Sequence, residues 1–281
     1  MSLSTGDKKE ILQNLGAQPR DLDVLLGYTA NAFLRRADYD ADVFLKLWTS
    51  IFEVAETSGV AYAVNKHLVD SDLQIAFEMP DAVRIELFHS LAGKIPIITT
   101  ASVGDFENLV QNIVYKGASY PYIKSMGASF VSGKRNRFII LSNKSYSNVS
   151  ADDMGFDDSF WREKSMTIRK YHECAHYYTK RFFGSAKNNL HDELIADFCG
   201  IWAAFSGYHA GYFMQFLAQG RLKIYIENLS TTGAIVVKRL AQFASTWIEE
   251  WSNSKEFMQM SETQRIDFLC QKELLDYCNP R

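Results

Sequence analysis

The sequence predicts an α+β protein, mainly helical, in which a small β-sheet precedes a long amphipathic helix. Three observations lead there. Apolar residues recur three and four apart over most of the chain, the period of a helix with one buried face. Residues 118–150 break that rhythm with Gly, Ser and Asn around two strand-like runs. Helices lie before and after this stretch rather than alternating with strands, so a regular βαβ arrangement is not expected.

In chain order, residues 5–69 read mostly as helix, most clearly in "DVFLKLWTSIFEVAETSGVAYAVNKHLV". "LQIAFEMP" reads as a short strand closed by Pro80, and "DAVRIELFHSLAGK" as a helix with Gly93 near its end. "IPIITTASV" is β-branched and suits a buried strand. "DFENLVQNIVYKG" returns to helical spacing and stops at Gly117. Within 118–150, strands are expected at 128–131 and 137–142, joined through the turn "SGKRN". From Asp157 the chain is helical again, punctuated by Gly207, Gly211, Gly220 and Gly233. The expected organisation is a mainly helical region over 1–117 and a second region over 118–281, free to pack as one unit.

Composition narrows the function classes. Of 281 residues, 47% are hydrophobic and 14% aromatic, enough for a sizeable core. The net charge of −3 gives no basic surface for nucleic acid or an anionic membrane. No uncharged apolar run approaches the ~20 residues of a membrane span, and the N-terminus has no secretory pattern. Cys174, Cys199, Cys270 and Cys278 have no C-x-x-C spacing and are expected as reduced thiols in a cytoplasm.

The chemistry concentrates in "YHECAHYYTKRFFG", 171–184. It closes a continuous helix expected over 159–183, with Gly184 as its C-terminal stop. Residues four apart lie one turn above each other, so His172 and His176 would point from one face. Two neutral imidazoles suit zinc. Glu173 lies about 100° further round, placed to act as general base on an attacking water. Cys174 points away. A chance H-E-x-x-H in such a chain has odds on the order of one in a hundred.

A catalytic zinc normally takes three protein ligands. Seventeen positions after His176 comes Glu193, in "NNLHDELIADFCG". Asn188 or Asn189 would cap this second helix. Ala196, Gly200 and Ala204 form a small-residue stripe on the side of Glu193 and Asp197, which allows close approach of another helix. Asp197 could hydrogen-bond a ligand histidine and fix its tautomer. His191 and Asp192 compete with Glu193 as third ligand, and a solvated helix face is the plain alternative.

H-E-x-x-H followed by E-x-x-A-D resembles the gluzincin class of zinc metallopeptidases. Neprilysin-type enzymes and the integral-membrane CAAX prenyl endopeptidases share this pairing. Here it stands as "HECAH" at 172–176 and "ELIADFCG" at 193–200. The resemblance implies His172, His176 and Glu193 as Zn2+ ligands, Glu173 as catalytic base and Asp197 as partner of a ligand histidine. It implies a minimal zincin-like module and hydrolysis of a peptide or protein substrate. The likeness covers residues 171–200 only. The gap between the motifs is shorter than in those two families, and the membrane segments of the prenyl endopeptidases are absent.

In zincin folds the edge strand of a sheet ahead of the active helix aligns the substrate, and "RFIILS" at 137–142 is the expected counterpart. Tyr208 and His209 are candidate donors to a developing oxyanion, whereas Tyr177 and Tyr178 fall off the metal face. Two rival readings remain. A di-iron carboxylate oxidoreductase would use two E-x-x-H motifs, Glu86/His89 and Glu173/His176, with Glu53 or Glu56 and Glu193. A non-catalytic interaction protein would close a structural metal site with Cys199 or His191.

Overall fold

The computed structural model describes residues 3–36, 42–133, 136–184 and 189–278. In chain order it contains helices α1 (Thr5–Asn14), α2 (Leu22–Thr29), α3 (Leu45–Ser58) and α4 (Val60–Leu68), then strands β1 (Arg84–Ser90) and β2 (Gly93–Thr99). Helix α5 (Val103–Leu109) runs into a π-helical turn, Val110–Val114, before β3 (Ala128–Ser132) and β4 (Arg137–Leu141). Then come α6 (Ala151–Met154), α7 (Asp158–Phe183), α8 (Leu190–Phe205) and α9 (Ala210–Phe216). A second π-helical turn, Leu217–Arg221, leads to α10 (Leu222–Ile226), α11 (Thr231–Ser252), α12 (Lys255–Gln259) and α13 (Glu262–Cys270). The protein is α+β and mainly helical. Among the described residues, no helix is long and apolar enough to cross a membrane.

The chain divides into two compact units: Met1–Arg35 with Phe183–Arg281, and Arg36–Phe182. The boundary expected near residue 117 falls inside the second of these.

The central unit is built on a four-stranded mixed sheet of order β1-β2-β4-β3. β1 and β2 form an antiparallel hairpin that closes at Ser90↔Gly93. Gly93 takes φ +103°, which a side chain would resist. β2 runs parallel to β4 from Ile97↔Ile139 to Thr99↔Leu141, and β3 pairs antiparallel with β4. All five residues of β4 are buried, as are Ile95, Ile97 and Ile98 of β2. Trp48 of α3 packs on Phe138 with ring centroids 5.2 Å apart.

Three expectations are corrected here. Residues 81–94 are not a helix but β1 and the turn into β2, because the apolar face of β2 recruits its neighbour as a pleated partner. Residues 73–79 form no strand. β4 is an interior strand, paired on both sides, so "RFIILS" is not the sheet's edge. Of the turn "SGKRN", Lys134 and Arg135 lie outside the described residues.

Helix α7 lies against this sheet. Phe88 of β1 meets Tyr171 edge-on at 5.7 Å, and Phe130 of β3 meets Tyr177 at 5.9 Å. Lys170 Nζ reaches Glu86 at 2.6 Å. Gly184, φ +65°, follows the last turn, as the sequence anticipates.

The unit made by the two chain ends is all helical. Leu12 and Leu25 share its core with Val236, Leu240, Trp251 and Phe257, each at most 1% exposed. Hydrogen bonds tie its N-terminal part to the rest. Arg239 donates to the Leu15 carbonyl at 2.7 Å, Asn31 to that of Cys270 at 3.0 Å, and the Ser230 hydroxyl to Asp21 at 2.6 Å. Helix α8 is capped by Asn189, whose side-chain oxygen accepts from the Asp192 N–H at 2.9 Å. Asn188 lies outside the described residues.

Candidate metal centre

Helix α7 carries the first half of the site. Ser165, Arg169, His172 and His176 follow one another at four, three and four positions, a single stripe along one face. His172 and His176 are buried, 6% and 8% exposed, and their Nε2 atoms lie 3.0 Å apart. Two nitrogens on one tetrahedral zinc are separated by about 3.4 Å at Zn–N distances near 2.05 Å. The pair is therefore close to a ligand geometry.

Glu173 is also buried, 9% exposed, with no hydrogen bond or ion pair to its carboxylate among the described residues. Its charge acts on the buried guanidinium of Arg169, four positions earlier. Burial lowers the pKa of Arg169 to about 10, against the opposing pull of Tyr146 and the Glu173 charge. It is still a cation at neutral pH. Arg169 donates to the carbonyls of Ser142 and Lys144, both at 2.8 Å.

The segment it holds, after β4, brings in a residue that the sequence did not single out. Tyr146 is 6% exposed, and its hydroxyl lies 2.9 Å from His172 Nδ1. The only signal in the sequence is a tyrosine within "NKSYSNVS".

Helix α8 carries the second group. Glu193 and Asp197, 4% and 0% exposed, lie one turn apart, and both are engaged by Arg221. Its Nη2 meets Glu193 Oε2 at 2.5 Å and its Nη1 meets Asp197 Oδ2 at 2.9 Å. Arg221 closes the π-helical turn Leu217–Arg221, a distortion that re-aims side chains at functional sites. Asp192 is also buried, at 1% exposure. His191 sits 3.2 Å from the Tyr277 hydroxyl and edge-on to Phe33. Burial lowers its pKa to about 3, so its imidazole is neutral.

The remaining candidates are placed as follows. Tyr208 is buried, and its hydroxyl has no hydrogen-bond partner among the described residues. Burial, with the charges of Asp197 and Glu249 behind it, holds its pKa well above the usual value, so the phenol stays a donor. His209 is half exposed, with Nδ1 4.0 Å from Glu249. Tyr177 faces Arg181 at 2.9 Å, and the Tyr178 ring meets that of Phe182 at a tilt, centroids 4.8 Å apart. None of the four cysteines is in a disulfide.

The residues that only the di-iron reading uses lie on other elements. Glu86 and His89 are exposed on β1, where positions three apart point to opposite faces. Glu53 and Glu56 belong to α3.

No curated protein and no solved structure matches the chain. A family match runs over residues 70–137 and 134–281, well over half of the sequence. The match covers β1 through α13, the candidate residues of α7 and α8 included, and on that extent the chain belongs to a family of unknown function, DUF7005.

Proposed function

We propose that this protein is a zinc-dependent hydrolase that cleaves peptide bonds in a peptide or protein substrate. His172, His176 and Glu193 would hold Zn2+, and Glu173 would be the general base. The observation that carries the reading is the convergence of two buried imidazole Nε2 atoms 3.0 Å apart, with a buried carboxylate next in sequence. In support, His172, His176 and Glu193 each offer one ligand atom, and these atoms lie within 4.8 Å of one another. Two nitrogens and one oxygen suit zinc and leave a fourth position for substrate or water.

Zinc bound there supplies Lewis acidity, polarising a carbonyl and making water a nucleophile near neutral pH. The chain supplies the proton handling. The Glu173 carboxylate takes a proton from the attacking water and returns it to the leaving amine. No hydrogen bond or ion pair among the described residues holds that carboxylate, and the charge of Arg169 acts on it. Burial around the histidines keeps bulk water from competing for the ligands. Of the two candidate oxyanion donors, the buried Tyr208 phenol has no hydrogen-bond partner among the described residues and keeps its proton, which favours it over the half-exposed His209. Four cysteines outside disulfides and the −3 net charge fit a reducing cytoplasm and a partner other than nucleic acid.

The test is elemental analysis of protein purified without an affinity tag, with two variants. About one zinc per chain is expected. It should be lost in His176→Ala and kept in Glu173→Gln. A peptide library should be cleaved by the parent and left intact by Glu173→Gln. A parent that takes up no zinc when it is supplied ends this reading. So does a Glu173→Gln protein with full activity.

A further inference from the structure

We propose that Tyr146 is the positioning residue of the metal centre: its hydroxyl accepts the Nδ1 proton of His172 and so turns the Nε2 lone pair toward the metal. The inference rests on the zinc reading and deepens it. An imidazole that binds metal through Nε2 must carry its proton on Nδ1, and that N–H needs an acceptor to fix the tautomer and the ring angle. The sequence pairing assigns such a role to Asp197, whose Oδ2 accepts from Arg221 at 2.9 Å; at His172 Nδ1 the observed neighbour is Tyr146. The Tyr146 oxygen stands 2.9 Å from Nδ1, on the opposite side of the ring from the atom that faces His176.

The backbone around Tyr146 is held by the same helix face that carries the histidines. The Tyr146 N–H donates to Ser165 Oγ at 3.0 Å. Arg169 donates to the carbonyls of Ser142, Lys144 and Ser145, at 2.8, 2.8 and 3.3 Å. Trp161 Nε1 donates to the Val149 carbonyl at 2.8 Å, just beyond. Between these anchors Ser147 and Asn148 both adopt left-handed backbone, φ 50° and 58°. A left-handed serine is an uncommon conformation that surrounding contacts must maintain. Three rows of one helix thus fix the segment, and the next position on the stripe receives the hydroxyl. Packing alone would be served by a phenyl ring, whereas the oxygen is aimed at a ring nitrogen.

Tyr146→Phe removes that oxygen and keeps the ring. The measurement is zinc affinity by competition with a chromophoric chelator, beside the absorption spectrum of the Co2+-loaded protein and the thermal midpoint of the metal-free protein. Expected is a 10- to 100-fold weaker zinc affinity, with altered Co2+ ligand-field bands and a metal-free midpoint near that of the parent. Ser165→Ala, which releases the backbone of Tyr146 and leaves its hydroxyl, should weaken zinc by a few-fold. It decides the matter if the phenylalanine variant does not fold. A parent that binds zinc while both variants match it within twofold overturns the role of Tyr146 and leaves the zinc reading standing. A parent that binds no zinc overturns both.

Discussion

Arg221 shows how much at a single residue was hidden from the sequence. It lies 28 positions beyond Glu193, on a π-helical turn, and no spacing rule predicts that its guanidinium spans Glu193 and Asp197. Both carboxylates are buried. Removing the cation takes away one buried counter-charge from both carboxylates, and breaking a buried pair costs about 3–5 kcal/mol. Arg221→Met should therefore lower urea-unfolding stability by that order in metal-free protein. Zinc bound at Glu193 would replace part of the lost positive charge, so saturating zinc should recover part of the loss. A metal-free variant as stable as the parent would mean that the network contributes nothing. By contrast, His172, Glu173 and His176 were legible at once, because four-residue spacing on a helix is a local rule. Tyr146 was not, because its bond to His172 spans 26 positions and depends on how one loop docks on one helix.

Elements follow the same division between local and long-range causes. Helices α7 and α8 were readable because their periodicity, the Gly184 stop and the Asn189 cap are all encoded within a few residues. The cap admits a direct test. Asn189→Ala removes the acceptor for the Asp192 N–H and should destabilise the protein by about 1 kcal/mol, read as a lower denaturant midpoint at unchanged slope. Since Glu193 sits in the first turn of α8, fraying there should also weaken zinc binding. β1 was misread for the opposite reason. Its residues are largely exposed, so it has no alternating pattern, and Val83, Leu87 and Leu91 mimic a helical face. What makes it a strand is seven paired positions against β2, an interaction its own sequence does not announce. The interior position of β4 was equally out of reach, because strand order depends on partners 42 positions away in sequence, as Ile97↔Ile139 and Thr99↔Leu141 show.

For the whole molecule, contacts gather a unit from both chain ends, Met1–Arg35 with Phe183–Arg281, which the expected regions 1–117 and 118–281 do not describe. No linker marks its borders, and the contacts that define it are the most distant in sequence. Lys8 pairs with Glu273, Arg239 with the Leu15 carbonyl, and Ser230 with Asp21. The family match begins at residue 70, which would suggest that the first residues are dispensable. Their burial argues otherwise. Leu12, Leu15, Leu22 and Leu25 are each no more than 8% exposed. Burying each such side chain stabilises by about 1.5–3 kcal/mol, and whole domains are stable by only about 5–15 kcal/mol. Deleting residues 1–35 should therefore cost the C-terminal helices their cooperative transition, although it removes nothing from the family-matched segment. The expected signs are a lost or strongly lowered melting transition in the near-ultraviolet signal of Trp247 and Trp251, with binding of a hydrophobic dye. The same deletion should abolish zinc binding, because Glu193 is carried by a helix of that unit. A truncated protein that melts cooperatively near the parental temperature would show that the two chain ends are joined by contact without mutual dependence.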